Sequence, residues 1–522
     1  MTIDKRIIIL WVDDEIDLLR PHILFLQNKG YQVITATNGY DGVEMLRNNS
    51  VDLIFLDENM PGMTGLETLL EMKAVNSVTP VVMITKSEEE NIMDQAIGSK
   101  IADYLIKPVN PNQILLTIKK NTESLRLVTE QTTSLYQSKF QQLSCDINMA
   151  GTFEDWALIY RQLVFWDLEL EKLEDKGMHE ILQMQKIEAN NNFARYIRNN
   201  YESWFGKQSD RKPLMSPNVL RQEVFPLLKN QKTALILIDN LRLDQWYAIA
   251  PIIGQYYKPD KESLYCAILP TVTQYARNAL FSGLMPLDIS NIHAEFWLDE
   301  NEEDDSHNLH EQELLRKQLN RLGLQYSLSY EKISNEKHSK RVSESFHDYM
   351  NSDLLVFVYN FIDSLSHART NVDVIRDLAG SESGYRSITR SWIEHSSMLD
   401  IIKQLAEEKV KLVITTDHGS INVSNPVKVL GDRDSSSNLR YKQGKLLNYE
   451  SKNIFEVRDP HSIRLPKLNV STSYIFAVNN DYMIYPKNYN YYVNYYRNTF
   501  QHGGISLEEM LAPLVTLSPI GN

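Results

Sequence analysis

Apolar positions fall into three regimes along the chain. From residue 1 to about 120, short β-branched runs alternate with amphipathic stretches: Ile7–Val12, a helix near Ile16–Asn28, Gln32–Ala36, a helix from Tyr40, and Leu53–Leu56. That alternation predicts a doubly wound parallel sheet. From 121 to 217 the period turns helical. One helix is expected from the Lys119-Lys120 region to about Leu143, and a second carries Trp156, Ile159, Tyr160, Leu163, Trp166 and Leu170 at helical spacing. A third covers Met178–Tyr201, with Phe193, Ile197, Tyr201 and Trp204 on one side. Thr152 followed by Asp155 caps the second helix. The aromatic stripe reads as core packing rather than a cofactor site. Polar, proline-bearing Gly206–Pro217 marks a boundary, and apolar strands return in 218–522: Ala234–Ile238, Leu264–Leu269, Leu354–Tyr359 and Leu412–Thr416. Two α/β domains joined by a helical bundle or linker is the expected organisation.

The chemistry gathers where these strands end. The first strand runs into Asp13-Asp14-Glu15 and the third into Asp57. Three carboxylates at strand ends repel one another and invite a divalent cation, usually magnesium. In the last domain, Lys411-Leu-Val-Ile-Thr-Thr-Asp417-His418-Gly419 reads as a buried strand stopping on two metal ligands. An adjacent Asp and His pair a hard oxygen with a borderline nitrogen, which suits zinc or manganese. Ala234–Ile238 ends on Asp239, Asp363 and His367 lie four apart on a helical turn, and His502-Gly-Gly follows a tyrosine-rich segment. Three carboxylates and three imidazoles are enough for two metal ions. After Leu264–Leu269 comes Pro270-Thr271-Val-Thr273, where Thr271 is either a helix cap or a hydroxyl aimed at a phosphate. Thr273 is its near-neighbour alternative. Arg242, Arg277, Asn278, Arg433, Arg440 and Lys442 are candidate phosphate contacts. The Tyr482–Phe500 segment, with seven tyrosines, is read as sheet packing; stacking on nucleobases is the other reading.

Composition narrows the classes. The net charge of -14, from 54 basic and 68 acidic residues, argues against non-specific coating of DNA. The acidic run Asp299–Asp305 reads as a solvated loop, and His293, His307, His310, His338 and His347 lack ligand spacing. Cys145 and Cys266 are too few for a disulfide framework. With no signal-peptide pattern and no membrane-length apolar stretch, a soluble cytoplasmic protein is expected. No helix-turn-helix pattern is present, which weighs against a DNA-reading output.

Asp57-Glu-Asn-Met-Pro-Gly-Met-Thr-Gly65, Ile84-Thr85 and Tyr104-Leu-Ile-Lys107-Pro108 closely resemble the response-regulator receiver family. That resemblance implies Asp57 as phosphoacceptor, Asp13 and Asp14 with Asp57 as magnesium ligands, Lys107 as phosphoryl partner, and Thr85 and Tyr104 as the switch. The order of the later motifs resembles the PglZ branch of the alkaline phosphatase superfamily, and the whole chain is similar to PorX-type response regulators of Bacteroidota. The expected fold is a receiver-type sheet at 1–120, a helical linker at 121–217 and an alkaline-phosphatase-like effector at 218–522. The superfamily pattern implies one zinc held by Asp239, Asp417, His418 and the Thr271 oxygen, and another by Asp363, His367 and His502. Thr271 would be the nucleophile of a phosphodiesterase acting on nucleotides or oligonucleotides. Sulfatase chemistry is disfavoured, because Cys266 is not followed by Cys-x-Pro-x-Arg spacing. The resemblance further implies a sensor histidine kinase upstream, type IX secretion control downstream and an extracytoplasmic-function sigma factor as partner. It also implies dimerisation on phosphorylation through Glu88–Ser99, Tyr104 and the helix after Pro111. The competing class is a non-catalytic regulator that recruits such a partner through a metal-stabilised effector domain.

Overall fold

The computed structural model describes residues 7–86, 101–173, 176–206, 212–297, 308–371, 380–431, 435–449 and 454–520, excluding the side chains of 123–130, 176 and 367–371. The Glu88–Ser99 segment, the Asp299–Asp305 run, His307 and Arg433 lie outside the described residues. The chain forms two compact units, Met1–Leu135 and Tyr136–Asn522.

In the first unit, β1 (Ile8–Val12), β2 (Gln32–Ala36), β3 (Leu53–Asp57), β4 (Val81–Thr85) and β5 (Asp103–Ile106) form one parallel sheet ordered β2-β1-β3-β4-β5. The helices Arg20–Asn28, Gly39–Asn48, Gly65–Val75 and Pro111–Ile118 lie between or after these strands. β3 and β4 are buried at every position, because the strands carry apolar side chains on both faces. Two separate cores result, one around Leu10, Ile54, Leu56 and Met72, the other around Trp11, Phe55, Ile84 and Ile114. With both faces covered, the polar residues collect at the carboxyl edge, where sheets of this order place their sites.

In the second unit, the helices Phe153–Glu171 and Lys176–Asn200 carry the aromatic stripe inward. Trp156, Ile159, Tyr160, Leu163, Trp166, Leu170, Phe193, Ile197, Tyr201 and Trp204 are all buried. The expected cap is present: Thr152 Oγ1 accepts from Asp155 N at 3.2 Å and the Asp155 carboxylate accepts from Thr152 N at 2.9 Å. These helices share one hydrophobic core with the sheet that follows. Arg386 ties the two layers by pairing with Asp167 and Asp244, both at 2.9 Å.

That sheet comprises β6 (Thr233–Ile238), β7 (Tyr257–Cys266), β8 (Leu328–Ile333), β9 (Leu354–Tyr359), β10 (Lys411–Thr415) and a late strand, Leu511–Pro519, which sits second from one edge. β8, β9, β6 and β10 run parallel, and the late strand is antiparallel to β10 and β7. Ile236, Ile238, Phe357 and Ile414 face one core while Leu235, Leu237, Val356 and Val413 face the other. Between β10 and the late strand the chain forms β11 (Ile421–Val423), β12 (Asn425–Leu430), β13 (Tyr441–Gly444), β14 (Asn448–Tyr449), β15 (Ile454–Val457), β16 (Ser473–Ala477), β17 (Asp481–Ile484) and β18 (Thr499–Gln501). These make three small sheets, of which the ribbon β11–β18 is antiparallel. The late strand Leu511–Pro519 is β19. Among the described residues no helix is long and apolar enough to cross a membrane.

A buried ion pair anchors the turn before β19. Arg440 and Glu509 are both fully buried, meeting at 3.1 and 2.6 Å, and Glu509 also accepts from Gly504 N and Ser506 Oγ, both at 2.8 Å. Removing one partner strands the other charge in the interior. Arg440→Met is expected to destabilise the second unit by about 3–5 kcal/mol, and pairing it with Glu509→Gln should recover part of that loss. Equal stability of wild type and Arg440→Met in chemical unfolding of the full chain would show that the pair does not anchor the turn.

Candidate metal and phosphoryl-transfer sites

The effector site follows from strand register. β6 and β10 are parallel neighbours with Leu237 opposite Thr415, so two residues further Asp239 emerges beside Asp417. Asn240 then turns the chain sharply, at φ 63°. Asp239, Asp417 and His418 are buried, and each offers a ligand atom within 4.8 Å of the others. His418 Nε2 lies 3.8 Å from Asp239 Oδ1 and 3.8 Å from Asp417 Oδ2. Its Nδ1 lies 3.2 Å from Gly419 O, a geometry that assigns the proton to Nδ1 and leaves the Nε2 lone pair facing the acids. Gly419 has no alternative, since a Cβ there would sit 2.1 Å from Glu508 O.

The local charges are unequal in their effects. Burial raises the Asp239 carboxyl well above its ordinary value, against Arg277 and with Asp417 and Asp363 adding to the rise. Burial also works to raise Asp417, but Arg277 and His418 outweigh it and hold that carboxyl low. His418 is pushed down to about 4, chiefly by burial, so its imidazole is neutral at pH 7. Asp239 Oδ1 is buried without a hydrogen-bond partner. A buried carboxylate oxygen with no donor, facing a neutral imidazole nitrogen, fits a divalent cation.

A second set of ligands adjoins the first. His502 Nε2 is 3.3 Å from Asp363 Oδ1, and its Nδ1 is 3.2 Å from Thr271 O, which again assigns the ring proton to the backbone side. The His418 and His502 rings stack at 4.4 Å between centroids. Asn240 Nδ2 donates to Asp363 Oδ1 at 3.3 Å. His367 belongs to the helix Phe361–Asn371 with Asp363, but its side chain lies outside the described residues.

The two threonines separate cleanly. The helix Thr273–Ser282 begins after Val272, and Thr273 Oγ1 is 3.3 Å from His418 Nε2. Thr271 Oγ1 instead donates to Gly504 O and accepts from Gly503 N, both at 3.0 Å. The Thr271 hydroxyl thus latches the Gly503-Gly504 turn that follows His502. Gly503 holds that turn at φ 122°, in the left-handed region that favours glycine.

The expected phosphate contacts need correction for the arginines. Arg277 is fully buried and bridges Asp239, Asp417 at 2.9 Å and Glu311 at 3.3 Å, while donating to Asn360 Oδ1 at 3.2 Å. Arg242 is buried against Asp244 at 2.5 Å and Glu382, and its guanidinium carbon lies 4.8 Å over the Phe500 ring. Arg440 is consumed by Glu509. Lys442 Nζ is 4.3 Å over the Tyr485 ring and donates to Ser436 O and Ser437 O, both at 3.1 Å. Asn278 is buried. Of these, Arg242 and Arg440 are taken up by other buried acids, while Arg277 holds Asp239 and Asp417. Glu311, Thr416 and Glu509, which sequence reading passed over, share that work: Thr416 Oγ1 donates to His418 O at 2.7 Å, and Glu509 O accepts from Gly419 N at 3.2 Å.

The first unit repeats the scheme with lysine in place of arginine. Asp13, Asp14 and Asp57 each offer an oxygen within 4.8 Å of the others. Lys107 Nζ lies 2.8 Å from Asp13 Oδ2 and 2.8 Å from Asp57 Oδ1. Burial raises the Asp57 carboxyl despite Lys107, with Asp13 and Asp14 adding to the rise. Magnesium fits such a cluster, whose oxygens outnumber its one cation. Thr85, at the end of β4, donates its hydroxyl to Glu58, and Tyr104 is half-buried in the adjacent β5.

If the effector cluster holds zinc, Asp417→Ala and His418→Ala should each lower the zinc bound per protein by about one ion, read by elemental analysis of the purified full chain. Unchanged metal content in both variants would remove Asp417 and His418 from the ligand set.

Three family models match this chain: a response regulator receiver domain over residues 9–119, the PorX response regulator linker domain over 126–205, and the BREX system PglZ alkaline phosphatase-like domain over 219–517. Among curated proteins, the transcriptional regulatory protein ZraR of Klebsiella oxytoca is 32% identical over 136 residues, covering 26% of this chain and 31% of that protein. The CpxR homolog of Haemophilus influenzae is 37% identical over 113 residues, covering 21% of this chain and 48% of that protein. The chain thus spans less than half the length of either. Among solved structures, a CheY-like receiver domain from Methanospirillum hungatei is 26% identical, covering 23% of this chain and 95% of that one, with a TM-score of 0.22. By the match over 219–517, this chain belongs to the PglZ alkaline phosphatase-like family, and it carries that domain in the PorX-type arrangement, behind a receiver and the PorX linker.

Proposed function

We propose that this response regulator is a zinc-dependent phosphodiesterase of nucleotides or oligonucleotides, controlled by phosphorylation of Asp57. The observation that carries the reading is a buried ligand cluster with a hydroxyl beside it: Asp239, Asp417 and His418 within 4.8 Å, and Thr273 Oγ1 3.3 Å from His418 Nε2. Asp239, Asp417 and His418 would hold one ion, and Asp363 and His502, with His367, the other. Zinc bound there would supply Lewis acidity to phosphoryl oxygens.

The remaining steps belong to the chain's own groups. Thr273 opens the ten-residue helix Thr273–Ser282, so its hydroxyl sits at a positive helix end, where an anionic phosphate is favoured. We assign the attacking oxygen to Thr273, with Thr271 holding the His502 turn through its hydroxyl and carbonyl. Attack by Thr273 Oγ1 on phosphorus forms the new P–O bond, releases one ester oxygen as the leaving group and passes the Thr273 proton to solvent. Water then cleaves the phosphothreonine. A diester suits the site better than a monoester. Among the described residues Arg242, Arg277 and Arg440 are all buried in ion pairs, which leaves little side-chain charge to offset a dianion.

On this reading a sensor histidine kinase supplies the phosphoryl group to Asp57, and the PorX-type arrangement implies type IX secretion as the process controlled. The new charge draws on Thr85 and Lys107, shifts an existing equilibrium and promotes a dimer. One set of measurements tests both halves. Thr273→Ala should lower turnover of a nitrophenyl phosphodiester by about a thousandfold or more while retaining zinc, and Thr271→Val should retain measurable turnover. Beryllium fluoride should convert the wild type, but not Asp57→Ala, to a dimer in sedimentation. Normal turnover in Thr273→Ala would refute the nucleophile, and a monomer under both conditions would refute the proposed control.

A further inference from the structure

Only part of the tyrosine-rich segment is sheet packing: Tyr482 lies fully buried in β17. Tyr489–Tyr496 is a helix with no fully buried residue. One face, Tyr489, Val493 and Tyr496, packs against Ile421, Val423, Tyr482 and Ile484. Tyr482 fastens it by donating its hydroxyl to Val493 O at 2.8 Å. The other side presents Tyr491 and Tyr492 to solvent, 63% and 37% exposed. Tyr491 stacks on Tyr495 at 5.9 Å and 15°, and Tyr492 on Tyr496 at 6.0 Å and 15°. Rings four residues apart thus lie nearly parallel in two short columns. An exposed aromatic surface of this kind needs an occupant to explain it.

Topology ties this surface to the metal cluster. In the ribbon β11–β18, Ile421 pairs with Gln501 and Val423 with Thr499. His418 precedes one end of the ribbon and His502 follows it at the same end, with their rings stacked. The tyrosine helix leads into the opposite end, at Thr499. Three residue pairs span two steps of about 3.4 Å, so the two ends lie about 7 Å apart. That distance corresponds to about two stacked nucleotides.

Charge points the same way. The chain as a whole carries -14, yet residues 482–507 contain no Asp or Glu. Lys487 and Arg497 flank the helix, both exposed. Asn488, Asn490, Asn494 and Asn498 add amides in the same stretch. An acid-free, tyrosine-faced, lysine- and arginine-flanked surface matches the requirements of single-stranded nucleic acid: flat π-faces for bases and cations for the intervening phosphates.

We propose that Tyr491 and Tyr492 form a base-stacking subsite that holds the single-stranded oligonucleotide substrate about two nucleotides from the scissile phosphate. This rests on the reading of the metal cluster as a nucleotide phosphodiesterase. The subsite makes substrate length, rather than sequence, the property selected, because every base has a π-face.

The test compares two substrates on the zinc-loaded full chain, a tetranucleotide and a nitrophenyl phosphodiester too short to reach the helix. In the double variant Tyr491→Ala/Tyr492→Ala, KM for the tetranucleotide should rise at least about fivefold, with nitrophenyl turnover unchanged. Tyr491→Phe/Tyr492→Phe, which keeps both rings, should behave as wild type. An unchanged tetranucleotide KM overturns the subsite. Equal loss on both substrates overturns it too, since the tyrosines would then act on the metal cluster. So does a smaller sedimenting species in the alanine variant, which would make the surface a contact between copies of the chain. If wild type cleaves neither substrate, the phosphodiesterase reading fails separately. Tetranucleotide binding to wild type and variant, read by fluorescence anisotropy, then carries the comparison, and equal affinities overturn the subsite.

Discussion

Burying several carboxylates side by side is the constraint on which this structure turns. Asp239 and Asp417 sit just beyond the ends of strands whose apolar faces are both covered and are themselves buried, while Asp363 lies in the helix that follows β9. Arg277 answers part of that charge by joining Asp239 to Asp417, and Glu311 and Asn360 hold the guanidinium in turn. One arginine cannot offset Asp239, Asp363 and Asp417 together, and the donorless Asp239 Oδ1 marks the remainder. The receiver meets the same difficulty with Lys107 against buried Asp13 and Asp57, beside which the exposed Asp14 adds a third charge. In both units a fixed side-chain cation sets the geometry of the acids and leaves a deficit of positive charge that a divalent ion fits.

The imidazoles extend this logic outward. His418 and His502 each turn Nδ1 to a backbone carbonyl and Nε2 toward a carboxylate. The carbonyls belong to Gly419, whose N–H donates to Glu509 O, and Thr271, whose hydroxyl donates to Gly504 O; the Gly504 N–H donates to the Glu509 carboxylate, which Arg440 holds in turn. A chain of buried hydrogen bonds therefore runs from the ligands to the turn before β19. The helices of the PorX-type linker reach that turn as well: Asn190 accepts from Leu507 N at 2.7 Å and donates to Glu508 at 3.0 Å. Linker and effector share one core, so the linker supports that turn directly.

The strands and their terminal acids were legible in the sequence because burial on both faces leaves an unbroken apolar run, and the first polar residue after it falls at the sheet edge. The switch from strand to helical period likewise located the linker helices and the Thr152 cap. Three features were not legible. Which of Thr271 and Thr273 faces the ligands depends on where the helix begins and on Gly503, more than two hundred residues away in sequence. Arg242, Arg277 and Arg440 read as open phosphate contacts because sequence shows charge without showing its partner. The tyrosine segment read as sheet packing, which Tyr482 in β17 fulfils, whereas 489–496 forms a helix that was not legible because a run rich in aromatic residues carries no clear period.

The central claim is that cations complete the charge of the effector cluster. Diffraction from crystals grown with zinc, recorded at the zinc absorption edge, locates those ions without reference to activity. The account predicts one anomalous scatterer about 2.0–2.2 Å from Asp239, Asp417 and His418 Nε2, and a second at the same distance from Asp363 and His502. Occupied zinc sites elsewhere in the effector, with no scatterer among these residues, would contradict it.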